Sequence, residues 1–165
     1  MCIRDSIWGK ANQVIFESTK GSFHVVSHRT PEGDDFKVLG VTFDCELKMA
    51  GAVQKLAGEA SWKLTQLERS ASFHTEAELV ALYKSKLLGY LEYRTPAIYH
   101  ATDTTLAKLD KVQERLLRVV GCAAREALLH WNLAPLETRR DIAMLGLVHK
   151  TVLGKEPRTS GVSFA

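Results

Sequence analysis

The sequence predicts a mostly helical α+β protein, in which a small antiparallel sheet precedes a bundle of four or five helices. In the first 45 residues, short β-branched and aromatic runs alternate with polar turns, which is typical of strands. From about Leu47 onward, apolar residues recur every three or four positions, as they do in amphipathic helices. With 165 residues, of which 45% are hydrophobic and 25% charged, the chain is long enough for one core.

The predicted sheet contains three strands. Lys10–Phe16 (KANQVIF) and Phe23–Ser27 (FHVVS) flank a polar turn with a glycine and should form a hairpin. Residues 28–35 contain a proline and a glycine among polar side chains and are predicted to form a loop. The third strand is Phe36–Asp44 (FKVLGVTFD), in which Gly40 indicates a bulge or a close approach of another group to the backbone.

Two long helices are predicted next. The first runs from Lys48 to Ser70, where apolar residues recur on one face. The second runs from Thr75 to Tyr93 and begins with a capping box, in which Thr75 is followed three positions later by Glu78.

The remaining helices fill the last third of the chain. One is predicted from Thr104 to Val120 and ends at Gly121, which suits a left-handed helix cap. A short helix is predicted over 123–131, and a last long helix begins at Pro135 and ends at Gly154. The apolar residues of that last helix are predicted to be buried: Ile142, Leu145, Val148, Val152 and Leu153.

Charge and cysteine content narrow the class of protein. The net charge is +3; residues 1–45 carry five Lys and Arg against six Asp and Glu, whereas residues 46–165 carry 17 against 13. The positive surplus therefore lies in the helical part. Cys2, Cys45 and Cys122 lack the CxxC spacing of zinc sites, so we expect neither a metal site nor a disulfide framework. We therefore expect the protein to be in an intracellular, reducing compartment. No apolar run approaches the roughly 18 residues of a membrane helix.

The first six residues, MCIRDS, look like the conceptual translation of a tagmentation sequencing adapter. If they are adapter sequence, they do not belong to the protein, and we expect the upstream part of the parent protein to be missing. We therefore separate residues 1–6 from the rest of the chain.

Three segments in a fixed order carry a family resemblance. The Leu-Gly strand of Phe36–Asp44, followed by a helix and then by Tyr90–His100 (YLEYRTPAIYH), resembles the region after the catalytic palm in reverse transcriptases of non-LTR (LINE-like) retrotransposons. The resemblance implies that residues 7–45 are the end of the palm, that 46–155 are the thumb, and that 156–165 are a tail.

The resemblance also implies a function. The parent would be a nuclear RNA-directed DNA polymerase that uses Mg²⁺, and its partners here would be an RNA/DNA primer–template duplex and the remaining palm and fingers. This chain lacks the family's catalytic aspartates, so it should be inactive alone and should hold no cofactor. Asp34 and Asp35 follow Pro-Glu-Gly rather than an aromatic residue, and we interpret them as a solvated turn.

The resemblance implies roles for four residues near the predicted strands. Phe36, Leu39 and Gly40 would form the primer grip, whose backbone presses on the sugar-phosphate chain without reading bases. Lys10 would correspond to a lysine that donates a proton to the leaving pyrophosphate. The alternatives are an ordinary buried strand and an ordinary surface lysine. His24 and His28 are four positions apart but are predicted to lie in a strand and a turn, so we do not assign them to a metal.

Basic residues on the predicted helices could follow a phosphate backbone, in a contact that would be independent of sequence and sensitive to salt. They are Lys55, Lys63, Lys84, Lys86, Lys108, Lys111, Arg115 and Arg118. The six on the first and third long helices are the predicted nucleic-acid contacts. The alternative is that they belong to solvated helix faces, because acidic residues are interspersed among them.

A function of another class is also open. The alternative is a helical protein-interaction module, or a domesticated remnant without polymerase activity. An exposed apolar groove would favour that alternative.

Overall fold

The computed structural model describes residues 7, 9–13, 26 and 34–154. A two-stranded antiparallel sheet is followed by a series of helices, which confirms the predicted mostly helical α+β class.

The segment predicted as the third strand is a hairpin. β1 (Phe36–Val38) pairs with β2 (Val41–Phe43) in antiparallel register, and Leu39 and Gly40 form the turn. Both turn residues have positive φ, 49° and 82°, as two-residue hairpin turns of the primed kind require. The prediction of one continuous strand is therefore wrong, because the chain reverses at the point where the sequence indicated a bulge.

One aromatic pair braces the hairpin. Phe36 lies opposite Phe43 in the strand register, and the two rings stack with their centroids 5.5 Å apart. Cross-strand aromatic pairs stabilise hairpins that are otherwise marginal in water. Val41, at the start of β2, is buried in the same core as the helices. The hairpin is thus attached to the helical body through its second strand.

The other two predicted strands lie mostly outside the described residues. Residues 9–11 form a helical turn, so Lys10 does not open a strand, and that part of the prediction is wrong. Of Phe23–Ser27 the structure describes Val26, which has no regular secondary structure.

The first long helix, α1 (Ala50–Arg69), follows the hairpin. The carboxylate of Asp44 binds the backbone just before this helix. Asp44 accepts hydrogen bonds from the backbone N–H groups of Lys48 (2.9 Å) and Met49 (2.8 Å). These N–H groups lie at the start of the helix, where they have no partner within it. The buried residues of α1 include four on the predicted face: Val53, Leu56, Ala60 and Leu64.

The second predicted helix forms with an irregularity in its middle. α2 (Glu76–Tyr83) begins with the predicted capping box, in which the Glu78 backbone N–H donates to Thr75 Oγ1 (3.4 Å) and Thr75 N–H donates to Glu78 Oε2 (2.8 Å). A π-helical turn over Lys84–Leu88 follows, and α3 (Gly89–Glu92) continues from it.

The last part of the chain adds four further helices. They are α4 (Thr95–Ile98), α5 (Asp103–Val120), α6 (Ala124–Trp131) and α7 (Leu136–Val152). Gly121 ends α5 with a φ of 73°, as predicted. α5 packs along α1, and the apolar faces of these two helices form the centre of the core.

The last helix contradicts one prediction. Only two residues of α7, Leu136 and Arg140, are buried. The five apolar residues predicted to be buried are between 50% and 79% exposed: Ile142, Leu145, Val148, Val152 and Leu153. The helix packs on α4 and α5 through its first half, and no described element covers its second half.

Among the helices that the structure describes, none combines the length and the apolar character needed to cross a bilayer.

Candidate nucleic-acid interface

A small cationic cleft lies beside the hairpin turn. Lys37 and Gly40 of the hairpin, Lys55 and Glu59 of α1, and Arg94 before α4 are among its lining residues, and its volume is about 120 Å³. Three cations thus surround one carboxylate. Two of the predicted contacts, Gly40 and Lys55, lie together in this cleft.

Tyr90 contacts two basic side chains near this cleft. The Lys63 ammonium lies 3.8 Å from the centroid of the Tyr90 ring, and the Arg94 guanidinium carbon lies 4.7 Å from it. Such cation–π contacts hold positive charge at a defined place without neutralising it. The predicted contact Lys63 is therefore held about two helical turns further along α1 than Lys55.

Glu59 connects these groups. Its carboxylate accepts hydrogen bonds from the Tyr90 hydroxyl and from Arg94 Nη1, the latter at 3.4 Å. The hydrogen bond from Tyr90 lowers the pKa of Glu59, and the positive charges of Arg94 and Lys55 lower it further. Burial, together with the bond to Glu59, raises the pKa of Tyr90. The carboxylate therefore stays ionised and fixes the Arg94 side chain at the edge of the cleft.

Helical spacing explains how α1 supplies three of these groups. Lys55, Glu59 and Lys63 follow one another at intervals of four residues, which places them on one face of the helix. The four-residue intervals give about 12 Å between the first and the last along the axis.

The predicted contacts on α5 have different surroundings. Lys108 Nζ donates to Gln54 Oε1 (2.6 Å), and Arg115 Nη2 donates to Thr65 Oγ1 (3.1 Å) and pairs with Glu68. Both side chains thus bridge α5 to α1.

The other two predicted contacts on α5 are exposed. Lys111 lines a separate hollow that also contains Glu114 and Glu137, and Arg118 lies in the last turn of the helix. The structure therefore places Lys55 beside the hairpin and Lys63 on the Tyr90 ring, whereas the four basic residues of α5 have separate surroundings.

The hairpin residues occupy distinct positions. Leu39 is 82% exposed at the tip of the turn, and Phe36 is half-buried against Phe43. Lys10 is exposed in its helical turn. Asp34 and Asp35 are exposed and outside any strand, which agrees with their interpretation as a solvated segment. His24 and His28 lie outside the described residues.

Sequence reasoning did not identify Lys37 and Arg94 as members of the site. Their positions are far apart in the chain, and the hairpin and the end of α3 bring them together only in the folded protein. The spacing of Lys55, Glu59 and Lys63 was the available signal, because it predicts a charged face of one helix.

The chain matches no family model, no curated protein and no solved structure.

Proposed function

We propose that this chain is part of an RNA-directed DNA polymerase of a non-LTR retrotransposon, and that it positions the RNA/DNA primer–template duplex. The parent enzyme would act in the nucleus and would use Mg²⁺ bound elsewhere. One observation carries the proposal: the Leu39–Gly40 turn and the cations Lys37, Lys55 and Arg94 border the same cleft. This is the pairing of backbone turn and positive charge that a duplex-positioning element needs.

The chemistry of the cleft suits a phosphate backbone. The Lys37 and Lys55 ammonium groups are on exposed residues and can neutralise phosphates, while Arg94 is oriented by Glu59 and Tyr90. Contacts of this kind depend on charge and not on base sequence. They suit a polymerase, which must hold every sequence that it copies.

The turn supports the proposal in a second way. Apart from Gly40 and its two chain neighbours, no described residue has an atom within 4 Å of the place where a Cβ on Gly40 would stand, so the turn is open to other groups on that side. The glycine is needed for its positive φ, and its lack of a side chain leaves room for a sugar-phosphate chain. Leu39 beside it offers an exposed apolar surface to a ribose ring.

The proposal assigns the parent enzyme's Mg²⁺ to no residue in the described part of the chain. Among the residues that the structure describes, no group of three or more His, Cys, Asp or Glu side chains is arranged to hold a metal ion. The proposal concerns the positioning of the duplex, and no catalytic step is assigned to these residues.

Binding of a labelled RNA/DNA hybrid by the full chain tests the proposal. We expect fluorescence anisotropy to show binding at low ionic strength that weakens steeply as salt is added. Absence of binding at low ionic strength, or binding that salt does not change, would contradict it.

The exposed half of α7 favours a second candidate function, a protein-interaction module. A helix that is apolar on most sides is normally buried. Ile142, Leu145 and Val148 nevertheless face solvent in the described structure. If the chain fails to bind nucleic acid while charged substitutions on α7 abolish binding of a protein partner, this second function is the better account.

A further inference from the structure

A second and larger groove lies farther along α1, between that helix and the π-helical turn. Its volume is about 470 Å³, within the range of small-molecule sites. Leu67 and Leu87 line it with apolar surface, and Trp62, Lys63, His74 and Lys86 also line it. The duplex contact proposed above does not use these apolar and aromatic residues.

Trp62 gives the groove a flat aromatic surface. The side chain is 65% exposed on α1, although a tryptophan usually buries most of its area. Exposed aromatic rings beside basic residues are the platforms on which unpaired bases stack. The ring is therefore available to a planar ligand.

The charges at the groove are of one sign. Lys63 and Lys86 contribute ammonium groups, and among the residues that the structure describes no Asp or Glu lines the groove. His74 is the third basic group, and its Nδ1 lies 3.9 Å from Glu78 Oε2, so a carboxylate partly offsets it if it is protonated. The groove thus complements a ligand that combines a flat ring with an anion.

We propose that this groove binds one unpaired nucleotide of a strand that leaves the duplex, with its base on Trp62 and its phosphate near Lys63 and Lys86. The proposal rests on the proposed function, because it extends the path of the same nucleic acid. A phosphate and a planar base account for both the cations and the tryptophan, whereas an aliphatic peptide segment would leave the two lysines without a role.

The two sites are continuous along one helix. Lys63 lines the groove and also contacts Tyr90, whose hydroxyl bonds to Glu59 in the cationic cleft. From Lys55 in the cleft to Gln66 in the groove, α1 rises about 16 Å, which corresponds to roughly five nucleotide steps of 3.4 Å. A strand held in the cleft can therefore reach the groove.

The test compares a blunt RNA/DNA hybrid with the same hybrid carrying a short unpaired overhang, using the full chain and fluorescence anisotropy. We expect the overhang to strengthen binding. Trp62→Ala should lower the affinity for the overhang substrate about tenfold and leave the affinity for the blunt hybrid unchanged. Trp62→Phe should retain most of the gain, because it keeps an aromatic ring. Lys86→Gln should also weaken the overhang substrate, whereas Lys150→Gln on α7 should not.

The outcomes separate the two proposals. The proposal for the groove is overturned if the chain binds the blunt hybrid and the overhang adds no affinity. It is also overturned if Trp62→Ala leaves that added affinity intact. Neither result contradicts the duplex proposal. Overhang binding that depends on Trp62, in a chain that does not bind the blunt hybrid, supports the groove and overturns the duplex proposal. Binding of neither substrate overturns both.

A third arm tests whether a free nucleotide also occupies the groove. Adenosine monophosphate that competes with the overhang supports the groove as a site for a nucleotide, whether free or in a strand. If the monophosphate does not compete and the overhang still binds, the result supports a groove that is occupied by a nucleotide within a strand.

Discussion

Arg140 of α7 and Asp110 of α5 form a two-point ion pair, with Nη1 to Oδ1 at 2.7 Å and Nη2 to Oδ2 at 3.0 Å. Arg140 is one of only two buried residues of its helix. Arginine and carboxylate groups that meet in this way gain both strength and a fixed orientation. The pair is therefore one of the contacts that attach the last helix to the bundle.

Asp110→Ala should destabilise the chain by about 3 to 5 kcal/mol, because it leaves a buried guanidinium without its partner. Urea unfolding followed by circular dichroism measures this. Adding Arg140→Met to Asp110→Ala should recover much of the loss, since the unpaired charge is then gone. The neighbouring pair Arg139–Glu92 is more exposed and serves as the matched control; Glu92→Ala should cost about 1 kcal/mol or less. Equal losses for the two pairs would contradict this assignment.

Leu39→Asn should stabilise the hairpin by about 1 kcal/mol, because asparagine tolerates the positive φ that leucine adopts at a cost. Gly40→Val should have the opposite effect, for the same reason at the second turn position. Both are read from urea unfolding midpoints. If Leu39→Asn destabilised the protein and Gly40→Val stabilised it, the segment would be better described as the single strand that the sequence predicted.

The stability that Glu59 contributes to the fold should decrease as the pH is lowered. Its pKa is lowered in the folded protein, first by the Tyr90 hydroxyl, so the stability it contributes is present above the ordinary carboxyl pKa. That contribution is lost as the pH falls through the lowered value. Thermal midpoints of the native chain and of Glu59→Gln should therefore converge below about pH 4.

A matched control makes the pH result specific. Glu114→Gln, at an exposed position on α5, should give a midpoint difference that changes little over the same range. A difference for Glu59→Gln that persists or grows at low pH would contradict the assigned hydrogen bonds.

Leu145→Lys on the exposed half of α7 should change the free energy of unfolding by less than about 0.5 kcal/mol, because the side chain already faces water. Leu136→Ala, at a buried position of the same helix, should cost about 2 to 5 kcal/mol. Urea unfolding measures both. A large loss for Leu145→Lys would show that its apolar face is covered in solution.

Local signals in the sequence were enough to predict where two of the helices begin or end. Thr75 and Glu78 are close in the chain and begin α2 by bonding to each other, and Gly121 ends α5 by its own conformation. These features do not depend on distant residues. Boundaries of this kind follow from short-range chemistry, so they could be predicted.

Two features could not be predicted in the same way. They are the hairpin turn and the exposure of the second half of α7. Leu39–Gly40 lacks the asparagine or aspartate that commonly marks a two-residue turn, so the segment resembled an interrupted strand. The repeat of Ile142, Leu145 and Val148 correctly indicated an apolar helix face. Whether another element covers such a face is a property of the assembled bundle, which periodicity does not contain.

The candidate site was predictable in part. Lys55 and Lys63 were identified because they lie on one helix, whereas Lys37 and Arg94 join them only through tertiary contacts. Trp62 was missed because an exposed aromatic residue gives no periodic signal.

The salt dependence of RNA/DNA hybrid binding tests the central claim most directly, when the native chain is compared with the double variant Lys37→Gln/Lys55→Gln. Each lysine that neutralises a phosphate contributes roughly −0.9 to the slope of log Kobs against log salt concentration. We therefore expect the double variant to bind more weakly, with a slope less negative by about 2. Lys150→Gln, away from the cleft, should leave the slope unchanged. A double variant with the native affinity and slope would contradict the proposal that this cleft holds the duplex.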